Sequence, residues 1–252
     1  MRPKYELADV LRKYGKHFLK NNNISYQKKK VLRAIVNCRT AVLGGHLQRC
    51  SNCDYQQIDY NSCRNRHCPK CQTQQREKWI QARMDQVLPI PYFHVVFTLP
   101  SDLNQLCLRY PKQLYNILFS ASWETIQTFS KDTKYLGAKS GMISILHTWG
   151  QNLSLHPHLH CMVPSGGINK QKQWKQTCGN GKYLFPVKAM SKVFRTLFLK
   201  QLKQLRNKGG IHHVGLQSLV DTLFNKPWVV YAKSPFLGVK SVVEYLGRYS
   251  QS

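Results

Sequence analysis

Between Gly44 and Gln72 the chain carries five cysteines and two histidines but few large apolar side chains. Such a stretch buries too little to offset the entropy of ordering its backbone, so it needs a staple in order to fold. Cys50-Ser-Asn-Cys53 and Cys68-Pro-Lys-Cys71 are two CxxC knuckles separated by 14 residues. A tight CxxC turn points both sulfurs at one ion, and two turns at this spacing close a tetrahedron around structural Zn²⁺. Cys50, Cys53, Cys68 and Cys71 are therefore the predicted ligands, with Cys63 or His67 of the same segment able to replace one of them.

A bilayer-spanning apolar run is absent, and the start MRPKYELADV lacks the apolar stretch of a signal peptide. The expectation is a cytosolic protein, where thiols serve as metal ligands or buried side chains more often than as disulfides.

Thirty-eight lysines and arginines against 11 acids give a net charge of +27. From Thr133 to Val220 there are 13 basic residues and no acidic one, so the excess runs through the body of the chain. A surface of this kind seeks a polyanion, and nucleic acid is favoured over a membrane surface. Arg64, Arg66 and Lys70, in and beside the second knuckle, are candidate phosphate donors, as is Arg248 near the end.

Apolar spacing predicts a helical pair over Leu7–Leu19 and Gln27–Arg39 and a connecting helix from Gln72 to about Val87. From Pro91 to Leu99 the pattern becomes strand-like, with Phe93, Val95, Phe97 and Leu99 on one face and Tyr92, His94, Val96 and Thr98 on the other. Helix over Leu103–Phe129, strands over Met142–Trp149 and Leu155–Val163, an amphipathic helix over Ala189–Arg206, a strand over Trp228–Ala232 and a last helix over Val239–Ser250 follow. That order fits an α+β fold, an antiparallel ferredoxin-like sheet with helices on one face. Three domains are expected: a helical pair (1–43), a zinc-ribbon module with its connecting helix (44–88) and a larger domain (89–252).

In Leu155-His-Pro-His-Leu-His-Cys161, the strand period of two puts His156, His158 and His160 on one face. Imidazoles two residues apart can share a metal ion. Tyr245 and Tyr249, four apart on the last predicted helix, lie within about 40° of each other at the edge of its apolar stripe.

Leu43-Gly-Gly-His46, the run Asn61–Cys71 with its knuckle, Phe93-His-Val-Val-Phe-Thr-Leu-Pro100, His156–His160 and Tyr245-Leu-Gly-Arg-Tyr249 occur in this order. Together they resemble the two-tyrosine HUH transposases of the insertion sequence 91 kind, which join a zinc-binding module to a rolling-circle nuclease domain. The resemblance implies that His158 and His160 are the paired metal ligands and that Tyr245 and Tyr249 are the nucleophiles. It also implies that family members continue beyond the second tyrosine, so a C-terminal part is expected to be missing here.

The mechanism expected on this basis uses Mg²⁺ or Mn²⁺ on His158 and His160, with His94 or His156 as the third ligand. A tyrosine attacks a phosphate of single-stranded or extruded DNA, forming a 5′-phosphotyrosyl link, and strand transfer moves an insertion sequence by a rolling-circle-like route. The competing readings are a remnant that acts only as a zinc-ribbon DNA-binding protein and a metal-dependent hydrolase built on the HxHxH strand.

Overall fold

In the computed structural model, which describes residues 5–84, 86–150, 152, 154–236 and 243, the chain is α+β and divides after Ala82. Unit 1 (1–82) opens with helices α1 (Leu7–Asn21) and α2 (Tyr26–Asn37), continues through the hairpin β1 (Gly45–Arg49) and β2 (Gln56–Tyr60), and reaches α3 (Pro69–Met84). Helix α1 starts on a capping box in which the Asp9 carboxylate accepts from the Glu6 amide at 3.0 Å. Ser25 caps α2, its hydroxyl accepting from the Lys28 amide. The β1–β2 ladder runs from Gly45↔Tyr60 to Arg49↔Gln56. A Cβ at Gly45 would stand 2.8 Å from the Asp59 carbonyl oxygen, so glycine is what lets the two backbones approach there.

The core of this unit is very small. Ala8 and Ile35 are buried together with Cys38, Cys68 and Cys71, and Leu11, Val31 and Cys63 pack against them. The apolar spacing in α1 anticipated the helix, yet Leu7, Val10, Tyr14 and Phe18 stay exposed. The helical pair and the cysteine segment share one unit because Cys38, at the end of α2, sits among the cysteines.

Unit 2 (83–250) is built on a four-stranded antiparallel sheet. Its elements are β3 (Tyr92–Thr98), α4 (Asn104–Arg109), α5 (Pro111–Lys131), β4 (Ile143–Trp149), β5 (Leu155–Pro164), the ribbon β6 (Gly166–Ile168) and β7 (Trp174–Gln176), the single turn α6 (Cys178–Gly181), α7 (Val187–Asn207), α8 (Leu216–Asn225) and β8 (Val230–Phe236). The sheet order β4-β5-β3-β8 places the first and third sheet strands in the middle, the ferredoxin-like plan anticipated from the element order. The ribbon β6–β7 and helix α8 are additions that periodicity did not reveal. The helix predicted over Val239–Ser250 lies outside the described residues, apart from Val243, which is helical and buried.

Alternation along the strands assigns each face. Phe93, Val95 and Phe97 of β3 and Leu159, Cys161 and Val163 of β5 are buried in one core with Leu114 and Leu118 of α5 and Phe194, Phe198 and Leu202 of α7. Phe194 anchors it, its ring centroid 5.0 Å from Phe97 and 5.3 Å from Trp228. The histidines of β3, β4 and β5 face away from this core. Among the described residues, no helix is long and apolar enough to cross a membrane.

Candidate metal centres

In unit 1 the sulfurs of Cys38, Cys63, Cys68 and Cys71 all lie within 4.8 Å of one another. Cys71 Sγ is 3.5 Å from Cys38 Sγ and 3.6 Å from Cys63 Sγ. Tetrahedral Zn²⁺ at a Zn–S distance of about 2.3 Å separates sulfurs by about 3.8 Å, so the four thiols fit that ion. Arg39 and Arg64, each directly after a cluster cysteine, hold φ of 56° and 51°. This left-handed backbone is unfavourable for a residue with a side chain, and it is the fold around the cluster that maintains it. The turns also bring main-chain N–H groups to sulfur, Cys63 donating to Cys38 Sγ at 3.5 Å.

The grouping corrects the predicted ligand set. Cys68 and Cys71 close with Cys38 and Cys63, while Cys50 and Cys53 sit exposed on the β1–β2 turn, outside the cluster. Two CxxC pairs in sequence do not dictate that they face each other; α2 delivers Cys38 to the second knuckle instead. Cys63 takes the place foreseen as an alternate, and His67 is exposed outside the four. The missed ligand had one signal: Asn37-Cys38-Arg39 echoes Ser62-Cys63-Arg64.

Burial is the main effect on the thiols, raising Cys38 and Cys63. Burial also acts to raise Cys71, but hydrogen bonds from Cys38 and Cys63 and from the Arg64 amide bring it below its ordinary value. A dication bound among the sulfurs is what makes deprotonation of such buried thiols favourable.

In unit 2 the sheet register assembles a second group. His158 and His160 lie on one face of β5, and β4 pairs beside it so that His147 stands opposite His158. The ligand nitrogens of His147, His158 and His160 lie within 4.8 Å of one another. Nε2 of His158 is 3.1 Å from Nε2 of His160. The Nδ1 atom of His158 is 2.5 Å from the His156 carbonyl oxygen. A carbonyl only accepts, so the proton sits on Nδ1 and Nε2 of His158 offers a lone pair to the group.

Neither third ligand foreseen from sequence occupies that place. His156 shares the face but is exposed at the strand end, its ring 5.2 Å from that of His158. The Nε2 atom of His94 is engaged by Nδ1 of His160 at 2.7 Å, which puts His94 behind a ligand instead of beside the ion. His147 was hidden because its role depends on which strand pairs with β5.

Burial, then the imidazoles of His147, His94 and His158, push His160 down to about 3. His94 is lowered by burial and then by the Lys233 ammonium, and His158 chiefly by burial. All three are thus held neutral, the state in which an imidazole binds a metal.

Tyr245, Tyr249 and Arg248 lie outside the described residues. Arg64 and Arg66 are exposed. Lys70 donates to the Glu6 carboxylate at 2.6 Å, so its charge is already partnered within unit 1.

Residues 10–99 match the family model described as "Transposase zinc-binding domain", and residues 141–252 match the one described as "Putative transposase". The "Putative transposase y4qJ" of Sinorhizobium fredii is 40% identical over 256 residues, covering 97% of this chain and 64% of that protein. The "Transposase for insertion sequence element IS801" of Pseudomonas savastanoi pv. phaseolicola is 27% identical over 239 residues, covering 92% of this chain and 57% of that protein. The chain thus spans about three-fifths of the length of these curated relatives. No solved structure matches it. With the two models matched in succession and a histidine triad inside the second, the chain belongs to the insertion sequence 91 family of transposases.

Proposed function

We propose that this chain carries the nicking and strand-transfer chemistry of a single-strand DNA transposase, with the sheet histidines as its metal centre and a tyrosine as its nucleophile. The observation that carries this reading is the lone-pair nitrogen of His158 facing Nε2 of His160 across 3.1 Å, with His147 close by. A divalent cation held by these three residues would draw charge from the phosphorus of a bound phosphodiester. Of the two ions anticipated, an all-imidazole donor set suits Mn²⁺ better than Mg²⁺, which prefers carboxylate and water oxygens.

Tyr245 or Tyr249 supplies the attacking phenolic oxygen. The oxygen–phosphorus bond forms as the bond to the 3′ oxygen breaks, giving a 5′-phosphotyrosyl link and a free 3′-hydroxyl that takes up a proton. Because the phosphodiester energy is kept in the link, no nucleotide cofactor is required. Two tyrosines let one strand end be held while another is cut. The net charge of +27 supports affinity for the DNA backbone, to which Arg64, Arg66 and Arg248 contribute. The cysteine cluster with structural Zn²⁺ holds unit 1 in its folded form.

The test is incubation with single-stranded oligonucleotides carrying element ends and Mn²⁺, followed by a denaturing gel. A covalent protein–DNA band is expected, and it should disappear when Tyr245→Phe and Tyr249→Phe are combined. A band that persists in the double variant refutes the nucleophile assignment. Salt-sensitive binding with no adduct from the unaltered protein favours a DNA-binding remnant, and phosphodiester cleavage without an adduct favours a metallohydrolase.

A further inference from the structure

We propose that His94 is a positioning residue that fixes His160 in the tautomer able to bind the metal. The inference rests on the metal-centre reading above and adds a role to a residue that does not itself touch the ion.

A neutral imidazole has one N–H and one lone pair. For His158 the choice is settled by the main-chain carbonyl of His156, which accepts from Nδ1. At His160 both ring nitrogens face imidazoles: its Nδ1 meets Nε2 of His94 at 2.7 Å, and its Nε2 meets Nε2 of His158 at 3.1 Å. Its single proton therefore has two places to go. On Nε2 it would bridge to the lone pair of His158 and occupy the space of a cation. On Nδ1 it donates to His94 and leaves the His160 Nε2 lone pair directed at His158 and His147.

His94, with its own proton on Nδ1, accepts that bond at Nε2. It lies on β3, with His94 paired to Met162 and Val96 paired to His160. The two rings are nearly coplanar, 7° apart, and both residues are buried. Coplanarity is what an in-plane N–H···N bond requires, and burial denies Nδ1 a water in place of His94. An outer partner of this kind commonly orients a metal-bound histidine, and its loss costs about 10- to 100-fold in metal affinity. Here the partner is a third imidazole instead of a carboxylate or carbonyl.

The experiment uses the full chain with its zinc in place and titrates Mn²⁺ by the loss of free-ion electron paramagnetic signal. His94→Leu removes the acceptor and is expected to weaken Mn²⁺ binding by about 10- to 100-fold. His94→Gln, whose amide oxygen can accept from Nδ1, is expected to recover most of that loss. Thermal melting of the Mn²⁺-free proteins establishes that both variants fold. In the unaltered protein loaded with diamagnetic Zn²⁺ at both centres, nitrogen-15 correlation of the His160 ring should report the proton on Nδ1.

Equal Mn²⁺ affinity in a folded His94→Leu protein overturns the proposal, as does failure of the Gln variant to recover, which would make His94 a ligand or a packing element. Failure of the parent reading looks different: the unaltered protein would take up no Mn²⁺, and His158→Ala would change nothing. That result would remove the role assigned to His94 as well.

Discussion

His147 on β4 stands directly across the ladder from His158 on β5, the two rings 5.1 Å apart and inclined at 79°. This cross-strand pair converts two neighbouring imidazoles into a three-sided donor set. His147→Ala should therefore weaken Mn²⁺ binding beyond the roughly 100-fold upper range seen when outer partners are lost. His156→Ala, at the exposed end of the strand, should stay within a few fold. Titration of the two variants decides: similar losses in both would place His156 in the donor set and remove His147 from it.

The cysteine geometry makes an equally sharp division. Metal analysis of the purified chain should find one equivalent of zinc on the cluster, lost in Cys38→Ser and in Cys68→Ser but kept in Cys50→Ser. Because three of the five buried side chains among the described residues of unit 1 are cluster cysteines, chelation should unfold α1, α2 and the β1–β2 hairpin. Circular dichroism before and after chelator addition reads this directly. Zinc retained in Cys38→Ser and lost in Cys50→Ser would restore the pairing of the two CxxC knuckles.

These two centres also mark what the sequence alone can and cannot convey. The parity of Phe93-His-Val-Val-Phe and of the HxHxH run assigned the core and histidine faces of β3 and β5 from local periodicity, and the buried Phe97 and Leu159 agree. Strand order followed from the succession of elements. Ligand completion did not, because His147 reaches His158 through a hairpin register and Cys38 reaches Cys63 across 25 residues. Spacing rules see a knuckle but not the partner that closes it. The ribbon β6–β7 escaped for another reason: its strands are three residues each, too short to show alternation. Tyr245 and Tyr249 rest on sequence spacing and the family resemblance, since they lie outside the described residues.

Stability of unit 2 should depend on the contact between α7 and the sheet. Phe194 is fully buried and meets Phe97, Phe198 and Trp228. Phe194→Ala leaves a cavity among rigid rings and should cost about 3–5 kcal/mol in urea denaturation. The zinc content should not change, since that residue belongs to the other unit. A loss below about 1 kcal/mol would mean that the helix does not pack on the sheet as described.

Acid should weaken the Mn²⁺-free form of unit 2 in a defined direction. His160, buried among imidazoles, is pushed down to about 3, against about 6.5 for an unfolded histidine. Below pH 6.5 the unfolded chain takes up a proton that the folded chain refuses, so unfolding becomes easier as pH falls. The contribution is present above pH 6.5 and is withdrawn toward pH 3, at up to about 1.4 kcal/mol per pH unit for one such imidazole. His94 and His158, lowered in the same direction, add to the slope. Urea melts at pH 6.5 and 5.0 should therefore differ by on the order of 2 kcal/mol for the unaltered protein. They should differ by less for His160→Gln, which cannot titrate there. Saturating Mn²⁺ should raise stability at both pH values while leaving this slope in place, because the ion keeps the folded His160 unprotonated and the unfolded chain still takes up its proton. An identical slope in His160→Gln, with or without Mn²⁺, would show that His160 titrates alike in the folded and unfolded chain, against its burial among the three neighbouring rings.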